Sequence, residues 1–329
     1  MLFKKPKEKE KKFTRIFFTT DIHGSERAYR KFLNAGKYYG VDIVMLCGDL
    51  TGKMIVPIVE YSSGIYKCKL FGQEYEVKTE EVKALEEKIS GMGYYPYYVD
   101  KKGMEEMQAN PKIVNEIFKK LMLERLERWV KMAEEHYQNS GIKCIMSAGN
   151  DDLFDVDQIL NNSNYVINAG DKIIRVDDYH EMLTVGYANI TPWNCPRDVS
   201  EEKLKEVIEN LANKLENPQT SIFNLHAPPK DSTLDTAFKL DTSTFPPKVI
   251  TEGGQPVTIG VGSIAVREAI EKHQPLLGLH GHIHESRGVT KIGRTLCINP
   301  GSEYGEGILR GAIVNLTKDS VLSYQLTSG

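Results

Sequence analysis

Cysteine is scarce and never paired in sequence: Cys47, Cys68, Cys144, Cys195 and Cys297 are five in 329 residues, and none forms a C-x-x-C. An odd number without close spacing argues against a thiolate zinc ribbon or a disulfide framework and suits a reducing compartment. Cys47, Cys144 and Cys297 sit in or beside apolar runs, where a thiol behaves as a small core side chain. Long hydrophobic runs are also missing. No stretch approaches the roughly 18 apolar residues that span a bilayer, and the charged start "MLFKKPKEKEKK" lacks the apolar segment of a signal peptide. The expectation is a cytoplasmic protein without membrane contact, whose residues 1–12 form a charged flexible tail. Neither sign of charge dominates, with Lys+Arg 42 against Asp+Glu 45 and a net charge of -3. That balance supplies no global basic field, so nucleic acid is possible as a partner but not favoured. No internal repeat is evident.

What remains is a globular chain with 40% hydrophobic residues, enough for a sizeable core. Short β-rich runs alternate with amphipathic stretches, the pattern of α/β layering. "RIFFTT" and "DIVMLC" read as strands, with Ser25 as N-cap of a helix running to about Tyr39. "IKCIMSA", "KIIRV", "EMLTVGYA", "SIFNL", "PLLGL", "TLCIN", "GAIVNL" and "VLSYQL" continue the series, each too short for a helix. Between Cys47 and Ile142 lie roughly ninety residues, far beyond an ordinary α/β connection. Residues 52–140 are therefore expected to form an inserted cap, with a hairpin around Ser62 to Gly64 and helices at about 79–90 and 112–138, within a single domain spanning 1–329. The tyrosines of "GYYPYY" are expected in the insertion's core. Residues 226–263, rich in Pro, Gly, Ser, Thr and Asp, are expected to form a long functional loop.

Polar residues collect at the C-terminal ends of the expected strands, where open α/β sheets place ligands. Asp21 and His23 stand two apart in "TTDIHGS"; Asp49 follows in "CGDLTG" and Asn150 in "AGNDD". His226 stands in "LHAPP", and His280, His282 and His284 in "LHGHIHES". Five of the chain's eight histidines fall in these segments, which is not how solvated histidines scatter. Mixed imidazole and carboxylate groups at successive strand ends are what a divalent-metal site requires, and their number suits two ions sharing one carboxylate. For Asn150 alone, "GNDD" also reads as a turn.

In order, "DIH", "GD", "GNDD", "LH" and "GHIH" over residues 21 to 284 resemble the motifs of the calcineurin-like metallophosphoesterases. The resemblance implies a four-layer α/β sandwich, two mixed sheets flanked by helices, with the insertion as a hairpin-plus-helices cap. It places Asp21, His23, Asp49 and His284 on one metal and Asp49, Asn150, His226 and His282 on a second. Manganese ranks first as the ion, with iron, zinc, nickel or magnesium as the other choices. The implied chemistry is in-line attack of a metal-activated hydroxide on a phosphate ester.

One position departs from the pattern: Asp151 stands where relatives place a histidine that helps the leaving oxygen. A carboxylate ionised at neutral pH cannot donate a proton, so Asp151 turns away, or Asp152 and burial raise its pKa, or the proton comes from elsewhere. Asp151 and Asp152 are the expected catalytic groups; Asn189, Arg197 and His280 are expected near substrate, His280 by orienting a ligand. The departure favours a small phosphodiester over a monoester, and "GDLTGK" lacks the arginine of the protein phosphatases. A non-catalytic metal-binding scaffold and a nuclease are the competing readings.

Overall fold

The computed structural model describes residues 13–244 and 246–329, so the expected tail over 1–12 lies outside them. The strand Thr14–Thr19 shows why the chain folds in layers. Ile16 and Phe18 point into one core and Phe17 into another, as a period of two requires. Burying each phenylalanine contributes about 1.5–3 kcal/mol. Ile43–Cys47 divides in the same way, with Ile43, Met45 and Cys47 on one face and Val44 and Leu46 on the other. Strands buried on both faces need cover on both sides.

That cover makes an α/β sandwich. The first six-stranded sheet runs in the order Ser320–Ser328, Arg310–Thr317, Thr14–Thr19, Ile43–Cys47, Lys143–Ser147, Ile167–Asn168. The second runs Gly288–Ile292, Thr295–Asn299, Leu277–Leu279, Ile222–Leu225, Glu181–Val185, Ile173–Arg175. Both contain parallel and antiparallel pairs. Ile16, Met45 and Ile145 of the first sheet share a core with Met182, Leu277 and Ile298 of the second, so the sheets face each other. Helices Glu26–Tyr39, Pro111–Tyr137 and Asp155–Asn161 cover the first sheet's outer face, and Glu201–Ala212 and Ile264–His273 cover the second's. Among the described residues there are seven α-helices, none long and apolar enough to cross a membrane.

Local signals agree with this frame. The Ser25 hydroxyl accepts from the Ala28 amide and starts the first helix. Gly40, at φ 59°, ends it with a left-handed cap that a side chain would strain. The hairpin forms between Ile55–Ser62 and Ile65–Leu70, and helices occupy Thr79–Gly91 and Pro111–Tyr137. The stretch 52–140 serves two cores. Val56, Ile58, Cys68, Leu70, Leu85 and Ile89 close a small one of their own, whereas Leu126, Trp129, Ala133 and Tyr137 join the main core. "GYYPYY" supplies a further strand, Tyr95–Val99, parallel to Ile55–Ser62, and only Tyr95 of its tyrosines is fully buried. Residues 226–263 are not one structureless loop. Short antiparallel pairs, such as Thr236–Phe238 with Thr258–Gly260 and Leu240–Asp241 with Lys248–Val249, fold them into a ribbon.

Candidate metal centre

Three parallel strands, Thr14–Thr19, Ile43–Cys47 and Lys143–Ser147, end side by side and deliver Asp21, Asp49 and Asn150 to one place. The loops beyond them are zipped together: the Asp21 amide donates to the Gly48 carbonyl and the His23 amide to the Asp49 carbonyl, both at 3.0 Å. The parallel strands Ile222–Leu225 and Leu277–Leu279 bring His226, His282 and His284 from the facing sheet. The His282 amide then donates to both Asp21 carboxylate oxygens, at 3.1 and 3.0 Å.

The side chains meet as three overlapping groups. Ligand atoms of Asp21, His23 and His284 lie within 4.8 Å of one another, as do those of Asp49, His226 and His282 and those of His23, Asp49 and Asp151. Asp49 belongs to two of them. The Asp151 amide occupies its Oδ1 at 2.9 Å, while its Oδ2 lies 3.6 Å from His23 Nε2 and 3.4 Å from His226 Nε2. The Asn150 amide nitrogen donates to Asp198 at 2.8 Å, leaving the buried Oδ1 without a partner. Both ring nitrogens of His226 are buried and lack a hydrogen-bond partner, Nε2 meeting Asp49 and Asp21 only at ion-pair range. Buried polar atoms are normally satisfied, so this set fits a missing electrophile.

Four of the ten non-glycine residues with positive φ among the described residues belong to this set. Asp21, His23, Asp49 and His282 have φ of 54°, 39°, 44° and 66°, in a region that costs an ordinary residue about 1–3 kcal/mol. Such strain persists where the surroundings fix it, and it clusters at functional sites. Two glycines permit the crowding: a Cβ at Gly149 would strike the Asp49 amide and carboxylate, and one at Gly281 would strike Asp21 and Thr20.

Electrostatics also call for a cation. Burial would raise the Asp21 and Asp49 carboxyls, but the His226 charge together with His284 at Asp21, and with His23 and Lys53 at Asp49, holds both well below the usual range. Burial would likewise depress His226, yet Asp49 and Asp21 raise it to about 9, so a proton stands in for positive charge between two carboxylates. Burial, aided by repulsion from His226, lowers His282 to about 4. Neutral imidazoles beside ionised carboxylates are a ready donor set for a divalent ion.

The expected secondary residues separate. Asp151 does not turn away: it faces the cavity beside the cluster, 2.8 Å from Lys53 Nζ and 3.7 Å from His23 Nδ1. Asn189 also lines that cavity, its amide nitrogen donating to the Val261 carbonyl at 3.2 Å and its buried Oδ1 unpartnered. Asp152 is fully buried and points into the scaffold, where its carboxylate accepts from the Gly149, Leu50 and Thr51 amides and the Thr51 hydroxyl. Arg197 is buried as well, with its guanidinium spent on the Asp152 and Leu153 carbonyls and the Asp157 carboxylate, so it has no free donor fork for a phosphate. His280 is buried with Nδ1 on the Leu225 and Ala227 carbonyls, and burial lowers it to about 4.

Two neighbours of the site escaped the sequence reading. Lys53 follows Asp49 by four residues, in the quoted "GDLTGK"; burial opposes its charge, but Asp151 raises it well above the ordinary lysine range. Tyr304 packs its ring 4.7 Å from that of His23, tilted, and 5.8 Å from that of His284, edge to face, contacts made only by tertiary folding.

Fold and site together define an α/β sandwich with buried Asp/His clusters that could bind metal. No family model matches the chain. It is similar to an uncharacterized protein of Methanocaldococcus jannaschii, 30% identical over 154 residues, covering 46% of this chain and 61% of that protein. The match thus spans about three fifths of that relative's length. In three dimensions the chain resembles TT1561 of Thermus thermophilus, with TM-score 0.52 and 14% identity over 96% of this chain and 98% of that one. A second crystal structure aligns with TM-score 0.57 at the same identity and the same coverage. Likeness at this level speaks to the fold.

Proposed function

We propose that the chain is a metal-dependent phosphoesterase of the calcineurin-like type, acting on a small phosphodiester in preference to a monoester. The observation that carries the reading is Asp49 Oδ2 standing between His23 and His226, which belong to different Asp/His groups. Asp21, His23, Asp49 and His284 would hold one divalent ion; Asp49, Asn150, His226 and His282 would hold the other. Bound there, the pair would supply an activated water and neutralise charge on the phosphoryl group.

The chain's own residues do the remaining work. Asp198 holds the Asn150 amide so that its oxygen faces the cluster. The Asp151 carboxylate fixes Lys53 at the cavity wall, where an ammonium can donate to a non-bridging phosphate oxygen. A protonated lysine thereby offers the positive charge that relatives draw from histidine, and Asp151 acts as its positioning partner. The 52–140 segment would shape access: Phe118 and Met122 line a cavity of about 440 Å³ that also includes Lys53, Asp151 and Trp193.

The test combines metal content with turnover of bis(p-nitrophenyl) phosphate. Protein reloaded with Mn²⁺ should carry about two ions per chain and cleave the diester; Asp49→Ala should retain less than one ion and lose at least about a hundredfold in rate. Metal binding without turnover of any ester would favour the non-catalytic scaffold. Failure to bind metal would end the proposal.

A further inference from the structure

Beside the Asp/His clusters, a cavity of about 540 Å³ has an unusual wall. Ile190, Trp193, Phe238, Leu240, Ile259 and Val261 line it, from two separate loops. Four of them remain well exposed, Ile190 at 65%, Trp193 at 55%, Phe238 at 45% and Ile259 at 41%. Single exposed hydrophobics need no explanation, but several gathered on one cavity wall mark a ligand surface. The wall is built: Ile259 stands directly opposite Ala237 on paired antiparallel strands, both lining the cavity, and Asn189 ties the other loop to them through the Val261 carbonyl.

Charge restricts the occupant further. Lys53 is the one lysine or arginine among the described residues lining this cavity, against Asp49, Asp151 and Glu285. One ammonium serves one phosphate. A polynucleotide would need a track of cations along its backbone, which this wall does not offer.

We propose that this wall is a subsite for the non-phosphate substituent of the substrate, and that the substituent is an apolar alkyl or aryl group. The inference rests on the phosphoesterase reading for where the phosphate sits. With the phosphate at the clusters, the substituent lies against Trp193 and Phe238, and burial of its carbon surface raises affinity.

The test holds the leaving group constant. Full-length protein loaded with Mn²⁺ is given p-nitrophenyl diesters whose second ester is methyl, hexyl, phenyl or thymidine 5′-yl. Expected is a kcat/KM for the hexyl or phenyl ester at least about tenfold above the methyl and thymidine esters. The double substitution Trp193→Ser and Phe238→Ser should bring the hexyl-to-methyl ratio close to one. A binding readout runs in parallel: Trp129 is buried and Trp193 exposed, so titration with hexyl methylphosphonate should shift the emission of Trp193 to the blue, more tightly than dimethyl phosphate does, and Trp193→Phe should lose the signal. A flat ester series with equal affinities overturns the proposal, as does preference for the thymidine ester. If no ester is cleaved although metal is bound, the phosphoesterase reading fails, and the dependence of the fluorescence titration on chain length still decides the subsite.

Discussion

Replacing Arg197 with alanine should damage stability and leave phosphate recognition alone. The side chain is 1% exposed, and its Nε and Nη2 donate at 3.0 Å to the carbonyls of Asp152 and Leu153. Nη2 also meets Asp157 Oδ2 at 2.9 Å, and Nη1 lies 3.8 Å from Asp171 Oδ2. Removing one partner of a buried ion pair costs about 3–5 kcal/mol. Asp157 and Asp171 are each 29% exposed and can rehydrate, which places the expected loss near the lower limit, about 3 kcal/mol. A chain of 329 residues unfolds with an entropy of about 0.7 kcal/mol/K. The melting temperature of metal-free protein should therefore fall by about 4 °C in a thermal scan. Steady-state kinetics below that temperature, with saturating Mn²⁺, should show the KM for a diester within about twofold of wild type. A melting temperature unchanged within about 1 °C together with a roughly tenfold rise in KM would refute the assignment and return Arg197 to the substrate.

Lys53→Met should lower kcat/KM for aryl diesters by about tenfold to a hundredfold while metal content per chain does not fall, since the change removes a cation from beside Asp151 and the metal-capable carboxylates. Gly149→Ala should reduce bound metal to below one ion per chain by elemental analysis, because the added methyl strikes the Asp49 amide and carboxylate; full metal loading would contradict the crowding argument. Asp177→Asn tests pH linkage away from the site. Burial pushes the Asp177 carboxyl up, but hydrogen bonds from His180, from Thr14 and from the Tyr179 amide pull it well below the usual range. A depressed carboxyl contributes stability above its unfolded pKa of about 3.9 and loses it as pH falls through the folded value. The substitution should thus cost about 1–2 kcal/mol in urea melts at pH 7, and the gap to wild type should narrow below about pH 4; a gap that widens in acid would show the sign to be wrong.

The layers were readable because each strand carries its own instruction. Ile16, Phe17 and Phe18 alternate between two cores, and the polar residues just past the strand ends converge because the parallel strands terminate together. His23 and His284, 261 residues apart, come within 3.0 Å because the facing sheet brings its own strand ends to the same place. What escaped depends on burial and long-range contact. A guanidinium reads the same in sequence whether it meets a phosphate or, as in Arg197, two backbone carbonyls. The pairs inside 226–263 are two or three residues long, too short for a period of two to register. Tyr304 reaches His23 from the far end of the chain, with no local pattern to announce it.

The three consecutive residues Asn150, Asp151 and Asp152 hold the same lesson at atomic scale. Adjacent in sequence, they face three ways. Asn150 gives its amide to Asp198, Asp151 turns its carboxylate to Lys53, and Asp152 its carboxylate into the loop that carries Asp49. Asp152 accepts four hydrogen bonds there, yet burial and the Asp49 charge raise its pKa to about 6, so the contact is retained against an electrostatic cost. Its geometric effect accounts for that. Asp152 joins the turn after one strand to the Leu50 and Thr51 amides after the next, beside the strained φ of Asp49. Asp151 then acts twice: its amide fixes Asp49 Oδ1, leaving Oδ2 to face both histidines, and its carboxylate anchors Lys53. Asp151 is thus paired with a lysine four residues beyond Asp49, which brings a positive charge to the cavity wall.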